Sequence, residues 1–105
     1  MAQDSALTVV APEGEIDLHS SAVIKGEIEP LITRQHPHVL VNLSEVTYID
    51  SSGLAVFIEA MQRVQAYGGK FSLCGLRENV RHIFAIARLD QVFRIFPDQS
   101  SAAAA

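Results

Sequence analysis

The sequence predicts an α/β fold, and three observations carry the prediction. Short apolar, β-favouring runs alternate with longer stretches whose apolar residues recur at helical spacing, in the order β, α, β, α, β, α, β. One run, Val39-Leu40-Val41-Asn42-Leu43, is almost continuously apolar, the pattern of a strand covered on both sides or lying at the centre of a sheet. A third run, Val46-Thr47-Tyr48-Ile49, ends at Asp50 and passes directly into a helical pattern. In α/β domains the carboxyl ends of strands are where sites form. Right-handed crossovers are expected, with the N-terminal strand pairing antiparallel and making the sheet mixed.

The elements follow in order. Residues 1–5 are polar and expected to fray. Leu7-Thr8-Val9-Val10-Ala11 reads as a strand stopped by Pro12. Gly14-Glu15-Ile16-Asp17 reads as a turn that carries two carboxylates. Ser20 or Ser21 then caps a helix to about Gln35, with Ile24, Ile28, Leu31 and Ile32 as its apolar stripe. Pro30 removes a backbone donor inside it, so a kink or early stop is expected. His36-Pro37-His38 reads as a loop.

After the central strand and the Asp50 junction, Leu54, Phe57, Ile58, Met61 and Val64 form one broad apolar helix face. Gly68-Gly69 stops that helix with a left-handed cap. Lys70–Cys74 is an alternating strand. A third helix from about Arg77 to Ala87 places Val80, Ile83, Phe84 and Ala87 on one face, and Val92–Phe96 is the last strand, ended by Pro97. Residues 97–105, with four closing alanines, read as a flexible tail outside a core of about 7–96. The whole chain, 1–105, reads as a single domain.

Composition narrows the function. Hydrophobic residues make up 49% and charged residues 19%, which suits a packed domain rather than a disordered chain. The net charge of −4 offers no basic footprint for nucleic acid or an anionic membrane. No apolar run is long enough to span a bilayer, and the first residues lack the pattern of a signal peptide. The single cysteine, Cys74, excludes an internal disulfide and suits a reducing compartment, so the cytoplasm is expected. Cys74 itself reads as a buried, inert thiol.

The residues that could carry chemistry cluster at Asp50-Ser51-Ser52-Gly53. A serine opening a helix is a cap, a chemical handle, or both. A phosphoryl group there would add a charge of about −1.5 to −2 where the helix dipole favours it. Asp50, with Glu15 and Asp17, could hold Mg²⁺ or form a solvated acidic rim. The rim is the better reading, because the chain has no phosphate-cradling loop. The junction lacks the G-x-S-x-G elbow, and His19, His36, His38 and His82 include no evident triad base, which argues against a hydrolase. His36 and His38 alone are too few to hold a metal, and Arg77, Arg81 and Arg88 interleave with Glu78 and Asp90 as a solvated face.

Gly14-Glu15-Ile16-Asp17, Val39–Leu43, Tyr48-Ile49-Asp50-Ser51-Ser52-Gly53-Leu54, Gly68-Gly69-Lys70 and Val80-Arg81-His82-Ile83-Phe84 together resemble the STAS family, the sulfate-transporter and anti-sigma-factor-antagonist domains. The resemblance runs from about Leu7 to Phe96. It implies a mixed sheet of about four or five strands with helices mainly on one face. It also implies an anti-sigma factor antagonist that is not an enzyme and needs no cofactor of its own. When unphosphorylated, such a protein binds a GHKL-type serine kinase that doubles as an anti-sigma factor. The kinase uses ATP and Mg²⁺ to phosphorylate the serine matching Ser51, and a PP2C-type phosphatase restores the hydroxyl. Departures from the family pattern are Pro12-Glu13 before Gly14, Pro30 inside the first helix, and Arg88 where relatives often have glycine. An arginine there needs a strained left-handed conformation or a different helix stop.

On this reading Ser51 is the phosphoacceptor, and Asp50 and Ser52 shape its site. Glu15 and Asp17 flank it, Gly53 gives a partner room to approach, and Ala55, Val56 and Glu59 extend the contact surface. The alternative is a STAS subunit of a membrane transporter complex or of a stress-sensing scaffold, bound to a stable partner without control by phosphate. A small-ligand sensor ranks lower, for want of a glycine-rich loop.

Overall fold

A computed structural model of the chain describes residues 7–105. The elements are β1 (Leu7–Val10), β2 (Gly14–Ile16), α1 (Leu18–Thr33), β3 (His38–Asn42), β4 (Val46–Ile49), α2 (Ser51–Ala66), β5 (Lys70–Cys74), α3 (Glu78–Ile86), β6 (Arg94–Phe96) and α4 (Gln99–Ala104). The expectation about residues 1–5 lies outside the described residues.

The α/β class is as the sequence predicts; the sheet differs in detail. Four strands pair in the order β1-β3-β5-β6, while β2 and β4 form a ladder of their own. Each of these ladders is parallel, including β1 with β3, so the antiparallel N-terminal strand is corrected among the described residues. The reason is topological. Between β1 and β3 the chain runs through β2 and all of α1, a connection long enough to return it to the start of the sheet, as parallel pairing requires.

β3 lies between β1 and β5 and is buried from His38 to Val41. Its alternate residues serve two layers. Val39 and Val41, with Phe71 and Leu73 of β5, join Ile28, Phe57, Val64, Val80 and Phe84 of the helices in the main core. Phe57, Phe71, Phe93 and Phe84 form a chain of aromatic contacts through it, with successive ring centroids 6.4, 6.2 and 5.7 Å apart. Leu40 and Cys74 point to the opposite face and pack against Ala102 of α4. Among the described residues, α1, α2 and α3 thus bury their stripes in one layer, and α4 covers part of the other.

Residues 99–104 are therefore not a flexible tail. Asp98 caps α4 by accepting the Ser101 N–H at 2.8 Å, and the alanines that follow are the best helix formers. His38 is likewise not a loop residue: it opens β3, is buried, and its Nε2 lies 3.0 Å from Ser72 Oγ. Cys74 is fully buried, and burial pushes its thiol pKa up, as expected of an inert thiol. Pro30 does not end α1, which continues to Thr33; so near the C-terminus the missing donor costs a single hydrogen bond.

Three helices end alike. A residue in the left-handed region follows each: Gln35 (φ 52°), Gly68 (φ 84°) and Arg88 (φ 62°). The next amide then reaches back five residues: His36 N–H to Leu31 O, Gly69 N–H to Val64 O and Leu89 N–H to Phe84 O, at 2.9, 3.0 and 2.8 Å. Arg88 thus takes the strained left-handed option rather than a different stop.

Candidate functional site

Two strand-to-helix junctions lie side by side on one rim of the molecule. β2 and β4 pair in parallel, with Ile16 opposite Ile49, and each strand passes into a helix within two residues. The Asp50 N–H bonds the Ile16 carbonyl at 3.0 Å and ties the strand ends together. Beyond the junctions α1 and α2 run alongside one another, joined by Arg63 to Glu29 at 2.6 Å and Lys25 to Glu59 at 3.5 Å. The Lys25–Glu59 pair is exposed and the Arg63–Glu29 pair half-buried, so they contribute modestly, while Ile28, Ile32, Ala60 and Val64 of the two helices share the core beneath them. Both helix N-termini, with their positive dipole ends, consequently face the same side.

Each N-terminus is capped by an aspartate. Asp17, placed in a turn by the sequence, is the N-cap of α1 and accepts the amides of His19 and Ser20, both at 3.0 Å. Ser20 stands at the third helical position and returns the bond, accepting the Asp17 N–H at 2.9 Å. This corrects the expectation that Ser20 or Ser21 is the cap: Ser20 is its reciprocal partner, and Ser21 is buried. Gly14-Glu15-Ile16 is a strand rather than part of a turn. The bonds from Ser20, before all others, hold the Asp17 carboxyl below the usual carboxylate range.

Asp50 caps α2 in the same way and sorts the two serines. Its Oδ1 accepts the Ser52 N–H at 2.9 Å, the Gly53 N–H at 3.4 Å and the Ser52 hydroxyl at 2.5 Å. The Ser52 hydroxyl is the main reason that the Asp50 carboxyl lies below its ordinary value; Asp17 nearby opposes the shift. Ser51 is the first residue of α2 and is exposed, and its hydroxyl has no hydrogen-bond partner among the described residues.

Gly53 does not belong to the surface. It is buried, and a Cβ built on it would stand 2.6 Å from Ile16 Cγ2 and 2.8 Å from Ile49 Cγ1. The glycine lets α2 sit down on the ends of β2 and β4, so its place in the predicted contact surface is corrected to a packing role. The other predicted residues are accessible. Glu15, Asp17, Ala55 and Glu59 are exposed; Asp50, Ser52 and Val56 are half-buried. Glu15 stands opposite Tyr48 in the β2–β4 ladder, with both side chains exposed. Among the described residues no group of three or more His, Cys, Asp or Glu is arranged to hold a metal ion. Among the described residues no helix is long and apolar enough to cross a membrane.

One part of the rim was not singled out from sequence. Leu18, His19, Ala22 and Val23 of α1, with Asp17 and Asp50, line an open groove of about 730 Å³. Leu18 is 77% exposed and Val23 58%. The buried stripe of α1 accounts for Ile24, Ile28 and Ile32, and nothing in that periodicity marks residues on its outer side.

Fold and rim together define a small parallel α/β domain that presents two aspartate-capped helix starts and an exposed serine on one edge. The chain belongs to the STAS domain family, whose model matches residues 1–102. It is 34% identical over 82 residues to the anti-sigma-B factor antagonist of Bacillus subtilis, covering 78% of this chain and 74% of that one. The fold is close to that of an anti-sigma factor antagonist from Mycobacterium paratuberculosis, with a TM-score of 0.86 and 22% identity over 94% of this chain and 84% of the other. It also resembles the Bacillus cell fate determinant SpoIIAA in its phosphorylated form, with a TM-score of 0.74 and 21% identity over 95% and 89% of the two chains.

Proposed function

We propose that this protein is an anti-sigma factor antagonist switched by phosphorylation of Ser51, and that it acts by binding rather than by catalysis. The observation that carries the proposal is the division of labour between the serines. Ser52 is bonded to the cap, whereas Ser51, one residue past it, offers an exposed hydroxyl that no described residue engages. The similarity to a Bacillus anti-sigma-B factor antagonist, and to a relative known in a phosphorylated form, supports the reading.

In its unmodified state the rim binds a GHKL-type serine kinase that serves as the anti-sigma factor, through Ser51 and Ser52, the carboxylates Glu15, Asp17 and Asp50, and the outer side of α2 at Ala55, Val56 and Glu59. The Ser51 oxygen takes the γ-phosphoryl group of ATP, ADP leaves, and the hydroxyl proton passes to a base of the kinase. Asp50 already occupies the amides of Ser52 and Gly53, so the phosphate gains the dipole but few amides, and it stands beside a carboxylate. The fold is therefore little affected. Binding is affected strongly, because a contact that buries a neutral hydroxyl cheaply would have to desolvate a dianion. A PP2C-type phosphatase resets the switch. These steps take place in the cytoplasm.

The test is to incubate the protein with candidate serine kinases and ATP and to locate the added phosphate by mass spectrometry. Phosphate on Ser51, lost in Ser51→Ala and kept in Ser52→Ala, is expected. Transfer to Ser52 at the wild-type rate in Ser51→Ala would refute the assignment.

A further inference from the structure

We propose that the groove at the start of α1 is a second docking element for the same partner, taking one of its aliphatic or aromatic side chains flanked by an arginine or lysine. This inference rests on the reading of Ser51 as the centre of the contact. An exposed aliphatic residue alone means nothing, since folded proteins leave many in water. Here two of them, Leu18 and Val23, share one concavity with Ala22. A concave apolar patch with a polar rim is the usual form of a protein contact.

The rim says what kind of partner fits. Among the described residues its charged members are the two N-cap carboxylates, Asp17 and Asp50, each of which accepts the amides that open its helix. An apolar side chain entering between Leu18 and Val23 thus meets carboxylates, and complementarity asks for a cation beside it. Asp50 also bonds Ser52 and directly precedes Ser51, so the groove is continuous with the phosphoacceptor site. A kinase anchored on α1 would have the Ser51 hydroxyl held at its active site rather than found by chance encounter.

The experiment uses the serine kinase that phosphorylates the protein in the assay above, titrated calorimetrically. Leu18→Gln and Val23→Gln keep a good or fair helix former at exposed positions, so both should melt like wild type. Each should bind about tenfold more weakly, and the double variant about a hundredfold, as expected when one aliphatic anchor is lost at a time. Ile86→Gln, an equally exposed position on α3, should stay within about twofold. Asp17→Asn keeps the cap but should bind more weakly and with a shallower salt dependence. If the double variant binds within about twofold of wild type while Ser51→Asp is impaired, the groove is not a docking element and the Ser51 reading stands. If no serine kinase binds or modifies the wild-type protein, both fall.

Discussion

The hydroxyl of Ser52 donates to Oδ1 of Asp50 at 2.5 Å, within the turn that opens α2. That single bond makes two adjacent serines unequal. It keeps one hydroxyl on the cap and lowers the pKa of the carboxyl that receives it. In Ser52→Ala the Asp50 pKa should move back up toward its ordinary value, and the protein should become slightly less stable at neutral pH. The sign follows from the direction of the shift. A carboxyl depressed in the folded state contributes stability above its unfolded pKa and loses it as pH falls through the folded value. An NMR titration of Asp50 in both proteins checks this; an unchanged midpoint would remove Ser52 as the cause.

Gly53 leads to a prediction about stability. Gly53→Ala forces a methyl group against Ile16 and Ile49 in a sealed core. Overpacking costs about 1–3 kcal/mol, and the better helix propensity of alanine offsets about 1 kcal/mol of it. The melting temperature should fall by roughly 4–8 °C per kcal/mol of net loss. The fraction that remains folded should bind its partner normally, because the glycine does not face outward. Normal melting with weakened binding would return Gly53 to the contact surface.

Arg88 leads to the opposite effect. Its left-handed backbone costs an L-residue about 1–2 kcal/mol, whereas glycine takes it freely and loses only some chain entropy. Arg88→Gly should therefore stabilise the protein by about 0.5–1 kcal/mol, seen as a melting temperature a few degrees higher. A lower one would mean that the exposed guanidinium makes a contribution its surroundings do not reveal.

Much of this was legible in the sequence, and the misses have physical causes. The strand-to-helix junction at Asp50 was readable because a β-favouring run, a capping residue and a helical stripe follow one another without a break. β2 was not, because three residues are too few to show a period and the strand exists only through its pairing with β4, far along the chain. The cap of α1 was sought too late, at Ser20 or Ser21, because serine is a common cap and Asp17 read as part of a turn. Asp17 and Ser20 form a capping box with serine where glutamate is usual. α4 looked like a tail because alanine carries no amphipathic signal, although Asp98 before Ser101 is a cap signature. The groove lay outside any periodicity argument, since Leu18 and Val23 are exposed and only the fold brings them beside Asp50.

His38 adds a pH dependence that sequence alone did not suggest. It is buried on the α4 side of the sheet beside Ser72, with Lys70 and Arg94 near enough to disfavour its charged form. Burial first, then these two cations, lowers its pKa below the ordinary 6.5. Between the folded and unfolded values the unfolded chain binds more protons, so stability is full above the unfolded pKa and falls as the pH drops below it. Urea unfolding from about pH 7 to about pH 5 should show this decline, and His38→Gln should flatten it. An equal slope in both proteins would exclude His38 as its source.

The central claim is that phosphate on Ser51 leaves the fold intact and turns off the partner. The helix dipole favours the added charge by about 0.3–1 kcal/mol, and Asp50 opposes it at short range, so the circular dichroism spectrum should stay native. The complex must desolvate a dianion beside Asp50 and Asp17, a cost of several kcal/mol, and each 1.4 kcal/mol is about tenfold in affinity. Calorimetric titration of the two phosphoforms against the kinase tests this most directly. The unmodified protein should bind at least about a hundredfold more tightly than the phosphoprotein, with Ser51→Asp in between. Equal affinities, or tighter binding by the phosphoprotein, would contradict the account.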